Sequence, residues 1–371
     1  KETGIDVQIW AARSIAKVFD KLSLTYATTE KTGSPSFTKN FLSTHNHPVV
    51  KSIAKAREIN KAHTTFIDTI LKHNYRGRIH ADINPIRSDQ GGTVTGRFSY
   101  SNPNLQQIPA RNKDLGPMIR SLFLPEKNHK WGCFDYSQQE PRLVVHFAAR
   151  TEPICFDNSV SDIVDKFNNN DVDFHQTVAD MANISRTQAK TINLGLFYGM
   201  GKAKLQAELG LATKQEAEDL FNQYHNNVPF VRDLMNATSR HAQNSGSIGT
   251  LLGRRCRFNK WEPNSFGMHK PMDFNEAVQT YTLRHIRRAF TYKALNKLIQ
   301  GSAADMTKKA MVDLYSEGIV PHIQIHDELD ISVESEQQAK KIIEIMENAV
   351  SLAVPNKVDY ESGDNWGEIN G

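Results

Sequence analysis

Two short acidic stretches decide the fold of this chain: Asp135-Tyr136-Ser137-Gln138-Gln139-Glu140 and His326-Asp327-Glu328-Leu329. The aspartate of each follows a run that is typical of a buried strand, namely Trp131-Gly132-Cys133-Phe134 and Ile323-Gln324-Ile325-His326. Apolar and polar residues then alternate from Leu329 to Val333, which predicts a hairpin at the second stretch. Each stretch therefore places an aspartate at the tip of a predicted strand.

Two aspartates at neighbouring strand tips suit a pair of divalent cations. Side by side, Asp135 and Asp327 could hold two ions about 3.5–4 Å apart, the spacing used for in-line phosphoryl transfer. A long segment of mainly helical pattern separates the two stretches, so they must meet in the folded chain to act together. The pattern predicts metal-assisted chemistry on a phosphate.

The composition is that of a soluble globular protein. The chain has 371 residues, of which 39% are hydrophobic and 23% charged, and this length suits two or three subdomains around a cleft. No apolar stretch approaches the roughly 18–20 residues that span a bilayer, so we expect no membrane association. Three separated cysteines without a CxxC pair argue against disulfides and structural zinc, which favours a reducing cytoplasm. Because the chain begins with Lys1, we expect it to be part of a longer protein.

Charge is unevenly distributed along the chain. The net charge is +4, yet residues 1–90 contain 14 Lys or Arg against 8 Asp or Glu. Such a basic segment is typical of contact with a polyanion such as a nucleic acid backbone. A solvated helical surface explains the same charges equally well, and the sequence leaves both interpretations open.

Hydrophobic periodicity predicts a largely helical chain around the two acidic strands. Residues 76–110 are rich in Gly, Asn, Pro and Ser, which is typical of extended segments and turns. A polar loop around Gly33 should join the first two helices. We predict helices at Val7–Phe19, Val49–Leu71, across most of Asp173–Ala242, at Asn275–Tyr315 and at Glu336–Leu352.

One predicted helix has a face that suits an anion. Ser185 and Gln188 form a capping-box pattern at its start, and Gly199 follows its last residue. Arg186, Lys190, Leu194 and Tyr198 recur every four residues and so share one broad face. Two cations near the positive end of the helix dipole, with an aromatic ring farther along, fit a nucleoside triphosphate. A solvated basic helix with Leu194 and Tyr198 in the core is the alternative.

Taken together, these segments resemble the family A DNA polymerases, the bacterial polymerase I-like group. The resemblance runs from about residue 45 to Trp366 and depends on five motifs in the family's order. Those motifs are Thr95-Gly96-Arg97-Phe98-Ser99 with Asn102 to Pro109, Asp135 to Arg142, Arg186 to Gly199, Gln300-Gly301-Ser302-Ala303-Ala304-Asp305, and His326-Asp327-Glu328.

The resemblance implies an α/β (α+β) fold of right-hand architecture. Its palm would be a ferredoxin-like antiparallel sheet that carries both aspartates, beside a helical thumb and helical fingers. The expected segments are a thumb at 1–75 that is incomplete at its N-terminus, palm at 76–150, fingers at 151–295 and palm again at 296–371. No exonuclease domain is expected within this chain.

The resemblance also implies roles for individual residues at the site of chemistry. Asp135, Asp327 and Tyr136 would bind two Mg²⁺ ions, and Glu328 would be a supporting carboxylate. Lys190 would also protonate the departing pyrophosphate. Tyr198 and Glu140 would exclude ribonucleotides at the sugar 2′ position. The full set implied to bind the nucleotide is Arg186, Lys190, Leu194, Tyr198, Glu140, His175 and Gln138.

Further residues match family positions near the primer-template terminus. The minor groove shows acceptors at every correct base pair, so donors there test pairing without reading sequence. Arg111 would contact a backbone phosphate. For each Asn or Gln, a turn or a helix cap is the alternative role. The implied DNA-binding set is Arg97, Asn104, Gln106, Arg111, Asn296, Gln300 and His326.

The chain departs from the bacterial pattern at three points. Leu194 stands where bacterial members usually have Phe, which leaves discrimination at the sugar 3′ position open. Tyr292 stands where they have Arg, which leaves that DNA contact open. The short distance from His175 to Arg186 is more like that of phage members, so we expect a phage enzyme that acts in the host cytoplasm.

We therefore predict a template-directed DNA polymerase core that uses Mg²⁺, dNTPs and primer-template DNA, and we expect a monomer. A single-subunit RNA polymerase and a non-catalytic nucleic-acid-binding remnant are the alternatives.

Overall fold

The chain folds as two compact units. The computed structural model describes residues 3–369 except 31, 90, 110–111, 170–171, 198–199, 201, 266 and 268. The first unit comprises residues 1–82 and 101–122, and the second comprises residues 83–100 and 123–370. The division into thumb, palm and fingers segments stays a prediction.

The first unit is mainly helical. Its core is built on α1 and contains Ile15, Val18 and Phe19, all fully buried. The ring of Phe19 lies 4.8 Å from that of Phe37, at the centre of an aromatic cluster. The elements of this unit are α1 (Ala12–Lys21), β1 (Ala27–Thr28), β2 (Pro35–Ser36), α2 (Lys39–Thr44), α3 (Pro48–Lys61), a π-helical turn (Ala62–Ile67), α4 (Asp68–Lys72), β3 (Asn74–Tyr75), β4 (Arg78–Ile79), a 3₁₀ turn (Leu105–Gln107) and α5 (Leu115–Arg120).

Of the two helices predicted in this unit, the second agrees with the structure and the first begins later than predicted. The second is confirmed, because α3, the π-helical turn and α4 run without a break from Pro48 to Lys72. The first begins at Ala12 and not at Val7. Ala11 has an extended backbone, and the Ser14 hydroxyl accepts a hydrogen bond from the N–H of Gln8, which keeps the preceding segment out of the helix.

The second unit is organised around one four-stranded sheet. Its strands are β7 (Lys130–Tyr136), β12 (Ile323–Ile325), β13 (Glu328–Val333) and β14 (Val358–Gly363). They lie in the order β12-β13-β7-β14, and every neighbouring pair is antiparallel. The predicted mixed fold with an antiparallel sheet that carries both acidic stretches is confirmed.

Helices cover one face of this sheet. Phe134 and Tyr136 of β7 are buried on that face, where the Tyr136 hydroxyl donates to the carbonyl of Met346 at 2.7 Å. Since side chains alternate along a strand, Cys133 and Asp135 point to the opposite face. The helices of the second unit are α6 (Gln139–Ala149), α7 (Asn158–Asn169), α8 (Phe174–Ala182), α9 (Arg186–Phe197), α10 (Lys202–Leu209), α11 (Lys214–Asn227), α12 (Pro229–Ser245), α13 (Phe274–Tyr281), α14 (Ala294–Ser316) and α15 (Glu336–Asn348).

The long helix predicted at Asn275–Tyr315 is wrong. Thr282 and Phe290 have φ values of 63° and 64°, a left-handed backbone that ends a helix. The segment therefore divides into α13, a short strand, β11 (Ile286–Arg288), and α14. Two small antiparallel sheets precede α14, one of β8 (Ser247–Gly249) and β9 (Arg255–Arg257), the other of β10 (Trp261–Pro263) and β11. The remaining short strands are β5 (Asp82–Asn84) and β6 (Ser99–Ser101).

Within the part of the chain that the structure describes, no helix is both long and apolar enough to cross a membrane.

His146 of α6 is a buried titratable group in the core of the second unit. Its Nδ1 accepts a hydrogen bond from the N–H of Ala353 at 2.9 Å. Burial, reinforced by the charge of Arg150, lowers the pKa of His146 from 6.5 to about 4. Between these two values the unfolded chain binds a proton that the folded chain does not. Stability is therefore complete above pH 6.5 and declines as pH falls toward 4.

We expect His146→Gln to weaken this acid sensitivity, because Gln keeps an acceptor for Ala353 but cannot be protonated. The pKa difference corresponds to roughly 3 kcal/mol of folding free energy. Urea unfolding at pH 7 and pH 5 measures how much stability each protein loses. His241→Gln, an exposed position on α12, is the matched control and should lose as much as the wild type. An unchanged loss in His146→Gln would contradict the prediction.

Candidate active site

The structure brings the two predicted aspartates together. Asp135 is the penultimate residue of β7, and Asp327 lies in the two-residue turn between β12 and β13. The backbone N–H of Tyr136 donates to the carbonyl oxygen of Asp327 at 3.3 Å. In the sheet register, Asp135 is paired with Glu328 on one side and Asp359 on the other. Four carboxylates therefore crowd one end of the sheet.

Burial, together with this crowding, raises the pKa of both aspartates. Burial, followed by the charges of Asp327, Glu328 and Asp359, raises the pKa of Asp135 to about 8. Burial also raises the pKa of Asp327 to about 6, although the charge of Arg97 opposes the shift. Burial and the neighbouring carboxylates therefore both disfavour the charged form of Asp135. Carboxylate oxygens are hard ligands of the kind that Mg²⁺ prefers, so the residues fit the implied metal.

Glu328 takes part in a second cluster that the sequence analysis missed. Ligand atoms of Cys133, Glu328 and Asp330 lie within 4.8 Å of one another, on the face of the sheet that carries Asp135. Burial raises the pKa of the Cys133 thiol, which keeps it neutral and a poor metal ligand. One oxygen of Asp330 accepts from the indole N–H of Trp131 at 2.8 Å. We therefore assign this cluster no metal.

A buried ion pair lies beside the aspartates. The Arg97 guanidinium contacts the Glu140 carboxylate at 2.6 Å, and both side chains are largely shielded from solvent. Glu140 stands in the first turn of α6, directly after the β7–α6 turn. Burial and then the charge of Arg97 lower the pKa of His326, although this residue is partly exposed. Arg97 thus lies close to three residues predicted to act at the site: Glu140, His326 and Asp327.

The predicted anion-binding helix is α9, and its capping box forms as expected. The Ser185 hydroxyl accepts from the N–H of Gln188 at 3.2 Å, and the Gln188 side chain accepts from the N–H of Ser185 at 3.0 Å. Arg186 is held by one oxygen of Asp173, with its Nε at 2.7 Å and an Nη at 2.6 Å. Lys190 is exposed and forms no ion pair with a described residue. The half-buried Leu194 follows on the same helix, and Tyr198 lies outside the described residues.

His175 is poised as a neutral donor next to these cations. Its Nδ1 lies 3.1 Å from the amide nitrogen of Asn193, and the Asn193 oxygen accepts from the Tyr224 hydroxyl at 2.5 Å. This arrangement makes Nδ1 the acceptor and leaves the proton on Nε2. Burial lowers the pKa of His175 to about 4, and the charges of Lys190 and Arg186 act in the same direction.

Other predicted residues have structural partners. The Gln138 amide donates to the carbonyl of Val172 at 2.9 Å and accepts from the N–H of Phe174 at 2.7 Å, so it connects the β7–α6 turn to α8. The Asn104 side chain accepts from the N–H of Gln106 at 3.2 Å and caps a 3₁₀ turn in the first unit. This contact corresponds to the cap that the sequence left open as an alternative.

The remaining predicted DNA contacts are divided between the two units. Asn296 and Gln300 lie on α14 in the second unit and are half-buried. Gln106 lies in the first unit with Asn104. Arg111 falls outside the described residues.

Within the second unit, an arginine outside the five motifs connects two of them. Arg254 of the β8–β9 turn donates to the carbonyls of Thr95 at 2.6 Å and Gly301 at 3.0 Å. Its Nε also contacts Asp305 of α14 at 3.3 Å. The motifs around Thr95 and Gly301 were both visible in the sequence, but nothing there indicated which cation joins them.

Known proteins resemble this chain over nearly its whole length. The sequence model of DNA polymerase family A matches residues 3–368. A DNA-directed DNA polymerase of Pseudomonas phage M6 is 34% identical over 98% of this chain and 58% of its own length. DNA polymerase DpoZ of Acinetobacter phage SH-Ab 15497 is 30% identical over 90% of this chain and 55% of its own. The thermostable DNA polymerase I of Thermus filiformis is 34% identical over 94% of this chain and 40% of its own length.

A solved structure agrees with these relatives. The POL domain of Pol1 from M. smegmatis, in complex with DNA primer-template and dNTP, has a TM-score of 0.75 and 27% identity. The match covers 98% of this chain and 62% of that one. The chain belongs to DNA polymerase family A, which confirms the resemblance found in its motifs. It spans about half the length of the curated relatives from phages.

The contact between Asp173 and Arg186 generates a prediction. Burial alone would raise the pKa of Asp173, but hydrogen bonds from Arg186 and from the backbone of α8 lower it overall. The pair is partly exposed, so it holds Arg186 only weakly. Asp173→Asn keeps an N-cap for α8 and releases the guanidinium. We expect the Kd for a nucleoside triphosphate to fall by about two- to fivefold, the range of an exposed ion pair.

Titration of the protein with a dNTP in Ca²⁺, followed by intrinsic fluorescence, measures this Kd. Asp180→Asn, elsewhere on α8, is the matched control, because its carboxylate accepts from Gln176 and not from Arg186. A Kd that rises in Asp173→Asn, or falls equally in both variants, would count against a role for Arg186 in binding the triphosphate.

Proposed function

We propose that this chain is the polymerase core of a template-directed DNA polymerase. It would add dNTPs to a primer 3′-hydroxyl by nucleotidyl transfer and release pyrophosphate. The observation that carries the proposal is the meeting of Asp135 and Asp327 at one end of the sheet, in a chain of DNA polymerase family A. Relatives in phages support action in a host cytoplasm.

Two Mg²⁺ ions, when bound, would lower the pKa of the primer hydroxyl and neutralise the triphosphate. Asp135, Asp327 and the backbone carbonyl of Tyr136 are the groups that would hold them. Arg186 and Lys190 would bind the triphosphate oxygens, and Lys190 would also give a proton to the pyrophosphate as it leaves. His175, with its proton on Nε2, would donate a further hydrogen bond to the triphosphate.

Sugar selection would depend on Glu140. Arg97 contacts its carboxylate at 2.6 Å, so the side chain is anchored and not free to swing away. A rigid carboxylate beside the sugar excludes a 2′-hydroxyl by clash or by leaving it without a suitable partner. This anchored Glu140 supports DNA synthesis over the RNA polymerase alternative.

A basic patch on the second unit supports contact with a nucleic acid backbone. We define it as Arg255, Arg257, Lys293 and Lys297. Lys297 donates to the Arg257 carbonyl at 3.2 Å, and Lys293 lies over the exposed ring of Tyr292 at 5.5 Å. None of the four pairs with a carboxylate among the described residues. Lys297 shares α14 with Asn296 and Gln300, and Lys293 directly precedes that helix, so the patch would extend the predicted DNA contacts.

Replacement of either aspartate tests the proposed chemistry. We expect Asp135→Asn and Asp327→Asn each to reduce primer extension by at least about a thousandfold, since both charges are needed to position the cations. The measurement is single-turnover extension of a primed template with Mg²⁺ and dNTPs, with Mn²⁺ binding followed in parallel by electron paramagnetic resonance.

Asp359→Asn is the matched control. This residue is also paired with Asp135 in the sheet, but it is exposed and has no implied metal role. It should extend primers within about threefold of the wild type, because it changes only the surrounding charge. Full activity in Asp327→Asn would refute the two-metal proposal. Efficient extension of the wild type with rNTPs would favour the RNA polymerase alternative.

The basic patch makes a separate prediction. We expect Arg257→Ala and Lys293→Ala each to weaken primer-template binding. The logarithm of the association constant should also fall less steeply with the logarithm of the salt concentration, its slope becoming less negative by about 0.9 per lost phosphate contact. Fluorescence anisotropy at several salt concentrations gives both quantities. Lys340→Ala on the exposed face of α15 is the matched control. Variants whose salt slope equals that of the control would remove the patch from the DNA-binding surface.

A further inference from the structure

Arg254, on the β8–β9 hairpin, contacts two other segments of the second unit, the loop at Thr95 and helix α14. Its guanidinium donates to the carbonyl of Thr95 at 2.6 Å and to that of Gly301 at 3.0 Å. Its Nε contacts Asp305 at 3.3 Å, one turn farther along α14. Arg254 itself is the last residue of the β8–β9 turn. One planar side chain therefore connects a loop, a hairpin and the central helix.

Two glycines let the backbone approach the Arg254 guanidinium closely. Gly96 has a φ of +84°, and a Cβ there would lie 2.7 Å from the guanidinium carbon of Arg254. A Cβ at Gly301 would lie 2.6 Å from Thr250 and 3.0 Å from an Arg254 nitrogen. Both glycines of the Thr95–Arg97 and Gln300–Asp305 motifs thus permit the close approach of the same guanidinium.

The β8–β9 hairpin is itself fixed to α14, so Arg254 has a rigid base. The hydroxyl of Ser302 accepts from the N–H of Leu251 at 3.0 Å. The second oxygen of Asp305 accepts from the N–H of Leu252 at 3.2 Å. Ser302 is fully buried and Asp305 nearly so, which shields these bonds from water.

The loop that Arg254 holds leads directly to the ion pair beside the aspartates. Thr95 and Gly96 are followed by Arg97, whose carbonyl accepts from the Thr93 hydroxyl at 2.8 Å. The Arg97 guanidinium then contacts Glu140 at 2.6 Å, with 20% and 11% of the two side chains exposed. Displacement of the loop would move the Arg97 side chain and loosen the Glu140 carboxylate.

We propose that Arg254 is a positioning residue for sugar selection: it fixes the Thr95–Arg97 loop so that Arg97 can hold Glu140 in place. The inference rests on the proposed function, because it assumes that Glu140 faces the 2′ position of an incoming nucleotide. Arg254 would touch neither nucleotide nor metal. Its effect would therefore be seen in the choice between dNTP and rNTP.

The test is the ratio of kcat/KM for a dNTP to that for the matching rNTP on one primer-template. We expect Arg254→Gln to lower this ratio by about tenfold, the effect of losing one charge-assisted hydrogen bond. Arg254→Lys should lie between Gln and the wild type, since an ammonium keeps the charge but cannot span three acceptors. Arg240→Gln, an exposed arginine of α12, is the matched control and should keep the wild-type ratio.

A double-variant cycle separates positioning from general loss of structure. If Arg254 acts through Glu140, then Arg254→Gln should lower the ratio in the wild-type background but hardly change it in Glu140→Ala. Additive effects, or equal loss of dNTP and rNTP efficiency in both Arg254→Gln and Arg254→Lys, would overturn the proposal. If Arg254→Gln does not fold, the Lys variant decides by the same ratio.

The same assay distinguishes failure of the polymerase proposal from failure of the role proposed for Arg254. A wild-type chain that extends with neither nucleotide refutes the polymerase proposal. A wild-type chain that extends and selects dNTPs, while the Arg254 variants select equally well, refutes the role of Arg254 alone. Loss of selection in Glu140→Ala without any loss in the Arg254 variants likewise refutes the role of Arg254.

Discussion

The pairing of β7 with the β12–β13 hairpin is the constraint on which the site depends. Its register pairs Glu328 with Asp135, and the N–H of Tyr136 fixes the carbonyl of Asp327. Because like charges repel, this pairing holds together carboxylates that would separate in an unfolded chain. The pKa of Asp135, raised to about 8, reflects burial first and then that repulsion. The sheet is stable here because its hydrophobic face, with Phe134 and Tyr136, is buried against helices.

Positive charge is supplied to this end of the sheet from outside it. Arg97 opposes the rise in the pKa of Asp327, whereas no cation among the described residues lowers that of Asp135. Arg97 is shared between Asp327 and Glu140, so its position affects both the cation site and the neighbouring carboxylate. Its backbone segment is in turn held by Arg254 through hydrogen bonds to carbonyl groups. The second arginine adds rigidity without placing another charge at the aspartates.

Sequence patterns predicted the parts of the site whose structure depends on interactions between residues close in the chain. The strand before Asp135, the hairpin at Asp327 and the capping box of Ser185 each depend on residues close in the chain. Contacts such as those of Arg254 could not be predicted, because their partners are distant and mostly backbone carbonyls, which every residue has. The helix at Asn275–Tyr315 was wrong for a related reason: its periodicity was helical, but the left-handed backbone at Thr282 and Phe290 leaves no pattern in the sequence.

The distribution of charge shows the same limit. The sequence shows an excess of basic residues in 1–90. It gives no sign of the basic patch in the second unit, because the net charge of the rest of the chain is close to zero. Its members come from β9 and from the segment that enters α14, and they become neighbours only when Lys297 reaches the Arg257 carbonyl. Alternation along β9 buries Cys256 and exposes Arg255 and Arg257 together. A net charge averaged over sequence therefore says little about a surface that is assembled from two separate elements.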